Sequence, residues 1–344
     1  MPLPQRSCFS MRSRFHVRRR LTGALGLAAL MGISACSSSN DKTVRVTVPP
    51  GSSFSAALDS LERAGVITSP KLFGFYASSR GRDRELKAGT YVFQPGLSWG
   101  GVLDALTRGK GLVHTVTIPE GYALTSIAPL LGKALSVPPE SILIAATDTA
   151  LRHRLDVPAP TLEGYLYPDT YTFADGTAPI EAVRMMVARF EQVWKPEWDA
   201  RLQEITMSRN DVMTLASIIE KEARLAEERP VISAVYHNRL KIGMLLQADP
   251  TVQYALGRHV DRVLYKDLEV DSRYNTYKHV GLPPGPIASP GAPSIEAALF
   301  PANVPYLYFV AHPDGHHEFR KTFSEHTEAR AQIRRDNPPR RESR

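Results

Sequence analysis

The chain has 344 residues, of which 43% are hydrophobic and 22% charged, a balance that excludes a wholly disordered chain and a polytopic membrane protein. Its two cysteines, Cys8 and Cys36, exclude a disulfide scaffold and a cysteine-based zinc site. The net charge of +7 lies in the tails, with +6 in residues 1–20 and +3 in residues 334–344; the body between them is at −2, which argues against a basic nucleic-acid-binding face.

Residues 1–40 read as an export segment. An arginine-rich start (Arg18-Arg19-Arg20) leads into the apolar run Leu21–Ala35, a positively charged region followed by an apolar stretch of signal-peptide length. The run is shorter than the roughly 20 residues of a spanning helix. It ends Ile33-Ser34-Ala35-Cys36 and continues into Ser37-Ser38-Ser39-Asn40, which resembles a bacterial lipobox with a polar tether. Lipidation of Cys36 and a short uncleaved anchor both remain open. Either way, the chain beyond residue 40 is expected outside the membrane, because the arginines precede the apolar run.

Residues 44–48 alternate as a strand and stop at Pro49-Pro50-Gly51. Ser52 or Ser53 then caps a helix carrying Phe54, Ala57, Leu58 and Leu61. A second helix carries Leu72, Phe73 and Tyr76, and a strand comes next at Gly89–Phe93. A helix with Val102, Leu103 and Leu106 completes a small α+β module over 44–111. Val113–Pro119 repeats the strand-then-proline pattern and leads into a helix with Ile127, Leu130 and Leu131. Residues 137–160, with four prolines, read as loop. Ile180, Val183, Val187, Phe190 and Trp194 form one helical stripe. The charged tail from 334 reads as disordered.

Chemistry concentrates after Ser208. Ser208 and Asp211 form a capping-box pattern ahead of a helix reaching Glu222 and beyond. On a helical wheel Leu215, Ile218, Ile219 and Leu225 share a face with Glu222, whereas Glu220, two positions away, points elsewhere. A carboxyl on a buried face is costly to ionise, and the resulting rise in pKa is what a general acid requires. Downstream, Gln247 and Asp249 precede a helix start, and Tyr274-Asn275-Thr276-Tyr277 precedes a rigid Pro/Gly-dense loop, 281–291. Rings and amides together suit sugars. His312, His316, His317 and His326 show no repeated ligand spacing, so no metal site is assigned.

Several motifs carry a family resemblance: Leu162-Glu163-Gly164-Tyr165-Leu166-Tyr167-Pro168-Asp169-Thr170-Tyr171, Ala216–Glu222, Leu246-Gln247-Ala248-Asp249-Pro250-Thr251-Val252, Tyr274–Tyr277 with Gly281–Gly285, and Pro305–Val310. In this order they resemble the MltG (YceG-like) endolytic murein transglycosylases, over about residues 44–330. The resemblance implies an α+β protein with a LysM-like module over 44–111. A larger α+β catalytic domain, 112–333, with a lysozyme-like active-site core would come after it. It implies a cofactor-free enzyme, tethered to the inner membrane with its catalytic part in the periplasm, that cuts nascent peptidoglycan strands. Peptidoglycan synthases are its candidate partners, and nucleic acid is not one.

Ser217–Arg224 is also similar to the helix of soluble lytic transglycosylases in which the essential Glu precedes a small residue. That places the catalytic acid on Glu222. Gln247, Asn275 and Tyr277 would position the sugar, Glu163 and Tyr167 would line the cleft, and Asp249 is also assigned to substrate binding. The bond cut would be the β-1,4 link between N-acetylmuramic acid and N-acetylglucosamine, leaving a 1,6-anhydro end. Asp169 and Asp249 stand as partner carboxylates for a rival hydrolytic route. A peptidoglycan-binding lipoprotein without turnover is the other rival.

Overall fold

A computed structural model describes residues 43–337 apart from 259, 261 and 262. The expected export segment and the last residues of the basic tail lie outside the described residues. Among the described residues no helix is long and apolar enough to cross a membrane.

The architecture is α+β. β1 (Val44–Val48), α1 (Phe54–Arg63), α2 (Pro70–Ser79), β2 (Gly89–Phe93) and α3 (Trp99–Arg108) come first. Val46 and Val48 of β1 face inward while Arg45 and Thr47 face out, as alternation requires. Ser53 caps α1 by accepting from the Ala56 N–H at 3.2 Å. These elements enclose one apolar core, running from Val46 to Leu112.

A second core runs from Ile118 to Leu299. Its elements are β3 (Leu112–Thr117), α4 (Leu124–Leu135), α5 (Pro139–Thr147), α6 (Thr149–Arg154), β4 (Thr170–Ala174), α7 (Pro179–Val193), α8 (Pro196–Ile205), α9 (Arg209–Glu222), α10 (Arg229–Lys241), α11 (Asp249–Ala255) and α12 (Ala292–Leu299). A hairpin of β5 (Tyr308–Ala311) and β6 (His317–Arg320) and a last helix, α13 (Phe323–Asp336), complete the chain. One antiparallel sheet, ordered β1-β2-β3-β4, passes between the cores. β1 and β2 pair over five positions and so do β3 and β4, but β2 meets β3 at only Thr90↔Val113 and Tyr91↔Leu112.

Two expectations are corrected. Residues 137–160 are not a loop: Pro139 occupies the first turn of α5, where a proline needs no N–H partner, and Asp148 caps α6. The tail does not lose order at 334, because α13 continues to Asp336. Thr322 and Glu325 form a capping box at its start.

α9 is the centre of the second core. Ser208 and Asp211 form the expected capping box. Every residue from Val212 to Ile219 is buried, since α8, α10, α11 and α12 all pack on this helix. A helix apolar on all sides belongs inside a protein. Leu215, Ile218 and Ile219 alone, each fully buried, contribute about 1.5–3 kcal/mol apiece. The single buried face inferred from the wheel is therefore not what distinguishes Glu222 from Glu220.

The Pro/Gly loop 281–291 is fastened to α9. Asn210 Nδ2 donates to the Pro284 carbonyl, and the Ile287 N–H donates to Ser217 Oγ at 3.0 Å. Gly164 meets this loop in the left-handed region (φ 82°), and a Cβ there would sit 2.3 Å from Pro286. Only glycine fits that approach.

Candidate active site

Glu220 and Glu222, the last two acids of α9, face different surroundings. Glu220 Oε2 accepts from the Gly291 N–H at 3.1 Å and from Ser294 Oγ at 2.7 Å. Arg229 lies 3.9 Å from its other oxygen, and the Glu220 side chain is 8% exposed. Glu220 therefore sits at the N-terminal end of α12, where a negative charge is favoured, and its acceptors are occupied.

Glu222 ends α9 and lines a cleft of about 480 Å³. Its one hydrogen bond among the described residues comes from the buried Tyr236, whose hydroxyl donates to Oε1 at 3.3 Å. Desolvation, and then the nearby Asp249 carboxylate, push the Glu222 carboxyl up to about 7, against smaller opposing effects of Tyr236 and Arg239. Burial and a like charge both penalise the ionised form. The acid is thus substantially protonated near neutral pH.

Gln247, Asp249 and Tyr277 line the same cleft. Tyr277 donates to Asp249 Oδ1, and burial pushes the tyrosine well above its ordinary range. Gln247 adopts a left-handed backbone (φ 51°), a conformation that non-glycine residues rarely take and that clusters at functional sites. Thr276 fixes this turn. The Gln247 N–H donates to the Thr276 carbonyl at 3.1 Å, and the Ala248 N–H to Thr276 Oγ1 at 3.0 Å. Thr251 Oγ1 and Thr276 Oγ1 are 2.8 Å apart. Arg239 adds a second tie, donating to the carbonyls of Leu246 and Leu307.

Three residues assigned to substrate from the sequence stand elsewhere. Asn275 is fully buried. Its Nδ2 donates to the Leu268 and Val270 carbonyls at 2.8 and 2.9 Å, and its Oδ1 accepts from the Tyr277 N–H. It shapes the loop that presents Tyr277 and does not reach the cleft. Tyr167 is buried in the second core. Glu163 is 3% exposed and accepts from the Leu124 N–H through both oxygens, capping α4. Desolvation raises it to about 7, opposed by that backbone bond. Glu163 lines a separate cavity of about 840 Å³ that shares α11 with the Glu222 cleft. Among the described residues Glu163 is the one carboxylate lining the larger space, whereas Glu222 and Asp249 meet in the smaller one. Asp169 pairs with Arg189 at 2.6 Å and is absent from the cleft wall.

The sequence did not mark out Tyr236, Arg239, Phe323 or Arg330, and it singled out Tyr308, Phe309 and Val310 only as part of a family motif and His326 only as a histidine without ligand spacing; all but Tyr236 line the cleft. Tyr236 and Arg239 lie three apart on a helix, a pattern indistinguishable from ordinary core. The downstream histidines are used locally: His312 pairs with Glu318, His316 with Asp314 and His317 with Glu228. Among the described residues no group of three or more His, Cys, Asp or Glu is arranged to hold a metal ion.

The α+β frame and the sequence that builds it have matches among known proteins. Residues 46–332 match the YceG-like family model, and the chain belongs to that family. It is 37% identical over 303 residues to the endolytic murein transglycosylase of Bacillus subtilis, covering 84% of each chain. It is 32% identical to that of Streptococcus pneumoniae serotype 2, covering 83% of this chain and 56% of the relative. The crystal structure of a YceG-like protein from Listeria monocytogenes superposes with a TM-score of 0.59 at 36% identity, over 84% of this chain and 99% of the other.

Proposed function

We propose that this protein is an endolytic murein transglycosylase with Glu222 as its acid. The carrying observation is a carboxyl at the wall of a cleft, raised to about 7 and bound only by Tyr236. Glu222 protonates the oxygen bridging N-acetylmuramic acid to N-acetylglucosamine. The bond from that oxygen to C1 breaks, and the N-acetylglucosamine side leaves as an alcohol. The Glu222 carboxylate then takes the proton of the muramic C6 hydroxyl, whose oxygen bonds to C1. The product is a 1,6-anhydro end, and the acid regains its proton without consuming water. Asp249, held by Tyr277, places negative charge near the oxocarbenium-like transition state. Gln247, on its fixed turn, is positioned to bond sugar hydroxyls or acetamido groups.

Asp249 in the same cleft also suits a two-carboxylate hydrolase. Mass spectrometry of digested strands separates the two: anhydro ends support the transglycosylase and reducing ends the hydrolase. Glu222→Gln should abolish product while Glu220→Gln retains it; the reverse pattern overturns the assignment.

The βααβ order of residues 44–93 supports reading the first core as a LysM-like glycan-binding module. The helices around Glu222 support a lysozyme-like active-site core. The expected N-terminal anchor would hold both at the inner membrane on its periplasmic side, near growing strands and the synthases that make them.

A further inference from the structure

α13 and β5 line the same cleft as Glu222 and Asp249. Phe323, His326 and Arg330 fall at i, i+3 and i+7, one stripe of α13, and all three line the cleft. If this stripe served only to dock the helix it would be apolar and covered. Instead Phe323 is 66% exposed. Its ring centroid lies 5.9 Å from Tyr308 and 6.3 Å from His326, and Tyr308 and His326 stack at 5.5 Å. His326 Nδ1 is buried without a hydrogen-bond partner. Arg330 makes no ion pair among the described residues. The cleft thus carries both signs of charge, the carboxylates of Glu222 and Asp249 and the guanidinium groups of Arg239 and Arg330.

We propose that this wall is a subsite for the muramic residue. A pyranose ring would stack on Phe323 and Tyr308, and Arg330 would bind a carboxylate on the ring's 3-O substituent. The inference rests on the glycan-cleaving reading above. It adds that the chain's last helix selects sugars that carry an anionic substituent over those that carry none. An aromatic ring offers the apolar C–H face of a sugar a flat surface. A guanidinium fork matches a carboxylate. The carboxylate has two sources, the free lactyl group of a stripped strand or the stem peptide attached to it.

The test uses Glu222→Gln protein, which binds without turnover, and three ligands: chitohexaose, which has no carboxylate, amidase-stripped strands and peptide-bearing strands. Arg330→Ala should weaken binding of the carboxylate-bearing strands about three- to tenfold, the range left after allowing for Arg330's exposure, and leave chitohexaose unchanged. Loss on amidase-stripped strands alone assigns the free lactyl carboxylate, loss on peptide-bearing strands alone assigns the stem peptide, and loss on both shows that Arg330 takes either carboxylate. Phe323→Ala should weaken all three ligands by about tenfold, with Phe323→Trp restoring binding and thermal unfolding confirming that the fold persists. Equal affinities for Arg330→Ala and its parent on every ligand, or an equal loss on chitohexaose, overturn the carboxylate role. Unchanged binding by Phe323→Ala overturns the stacking role. The glycan-cleaving reading is tested separately, by product formation in the protein with Glu222 restored.

Discussion

Replacing Glu222 by Gln should make the protein more stable, and only at high pH. The carboxyl is raised from 4.5 to about 7 in the folded chain. Below pH 4.5 folded and unfolded chains both hold the proton. Between 4.5 and 7 the folded chain keeps a proton that the unfolded chain releases, so stability falls as pH rises. Above 7 the full cost applies, about 3 kcal/mol at 1.4 kcal/mol per pH unit. Gln keeps an acceptor for Tyr236 and never ionises. Urea unfolding of the wild type and Glu222→Gln should therefore nearly coincide at pH 4. At pH 8 the variant should be about 3 kcal/mol more stable, which is roughly 5 °C or more in Tm for a chain of this size. Glu163, raised similarly, is present in both proteins and cancels. The same preparations should show no glycan product from the variant. A stability difference that does not grow between pH 4 and pH 8 would refute the claim that Glu222 is held protonated by its surroundings.

The neighbours of Glu222 should move its titration in opposite directions. Tyr236→Phe removes an effect that lowers the acid's pKa, so the alkaline limb of kcat/KM should shift upward. Asp249→Asn removes one that raises it, so that limb should shift downward; a full pH–rate profile of each variant checks both signs. Thr276→Val strands the Ala248 N–H and takes one partner from the Thr251 hydroxyl, which keeps its bond to the Ala248 carbonyl, and denaturant unfolding should show a loss of about 1–3 kcal/mol together with a raised KM. Glu220→Ala leaves the Gly291 N–H and Ser294 hydroxyl without their acceptor. It should cost about 1–3 kcal/mol with the pH profile of the remaining activity unchanged; a shifted profile would show that Glu220 takes part in the proton transfer.

The first core was legible because its strands alternate and its first helix carries a serine cap, both local signals. The capping box of α9 and the rigid 281–291 loop were legible for the same reason. The choice of Glu222 over Glu220 rested on a resemblance to the helix of soluble lytic transglycosylases and on a wheel that assumed one buried face. In the structure α9 is buried all round, and the two acids differ instead in their long-range partners, 71 and 74 positions away for Glu220 and 14 away for Glu222. No periodicity encodes those. Asn275 and Glu163 misled in a related way. A polar side chain beside aromatic residues looks the same in sequence whether it reaches into a cleft or satisfies buried backbone groups. α5 was missed because its proline was read as a breaker when it sits in the first turn. α13 was missed because most of its surface is polar, and its contribution to the cleft depends on the hairpin that precedes it.

The contact between Glu220 and the start of α12 has a mechanical consequence. The two glutamates sit on the same final turn of α9, so any twist of that turn about its axis swings both carboxylates together. Gly291 and Ser294 grip one of them from the far side, which fixes the angular setting of the other as a key fixes a wheel on a shaft. Glu222 needs no bracing of its own and stays open to the cleft. Re-aiming its carboxyl by design would have to begin at Gly291, on the opposite side of the helix from the cleft.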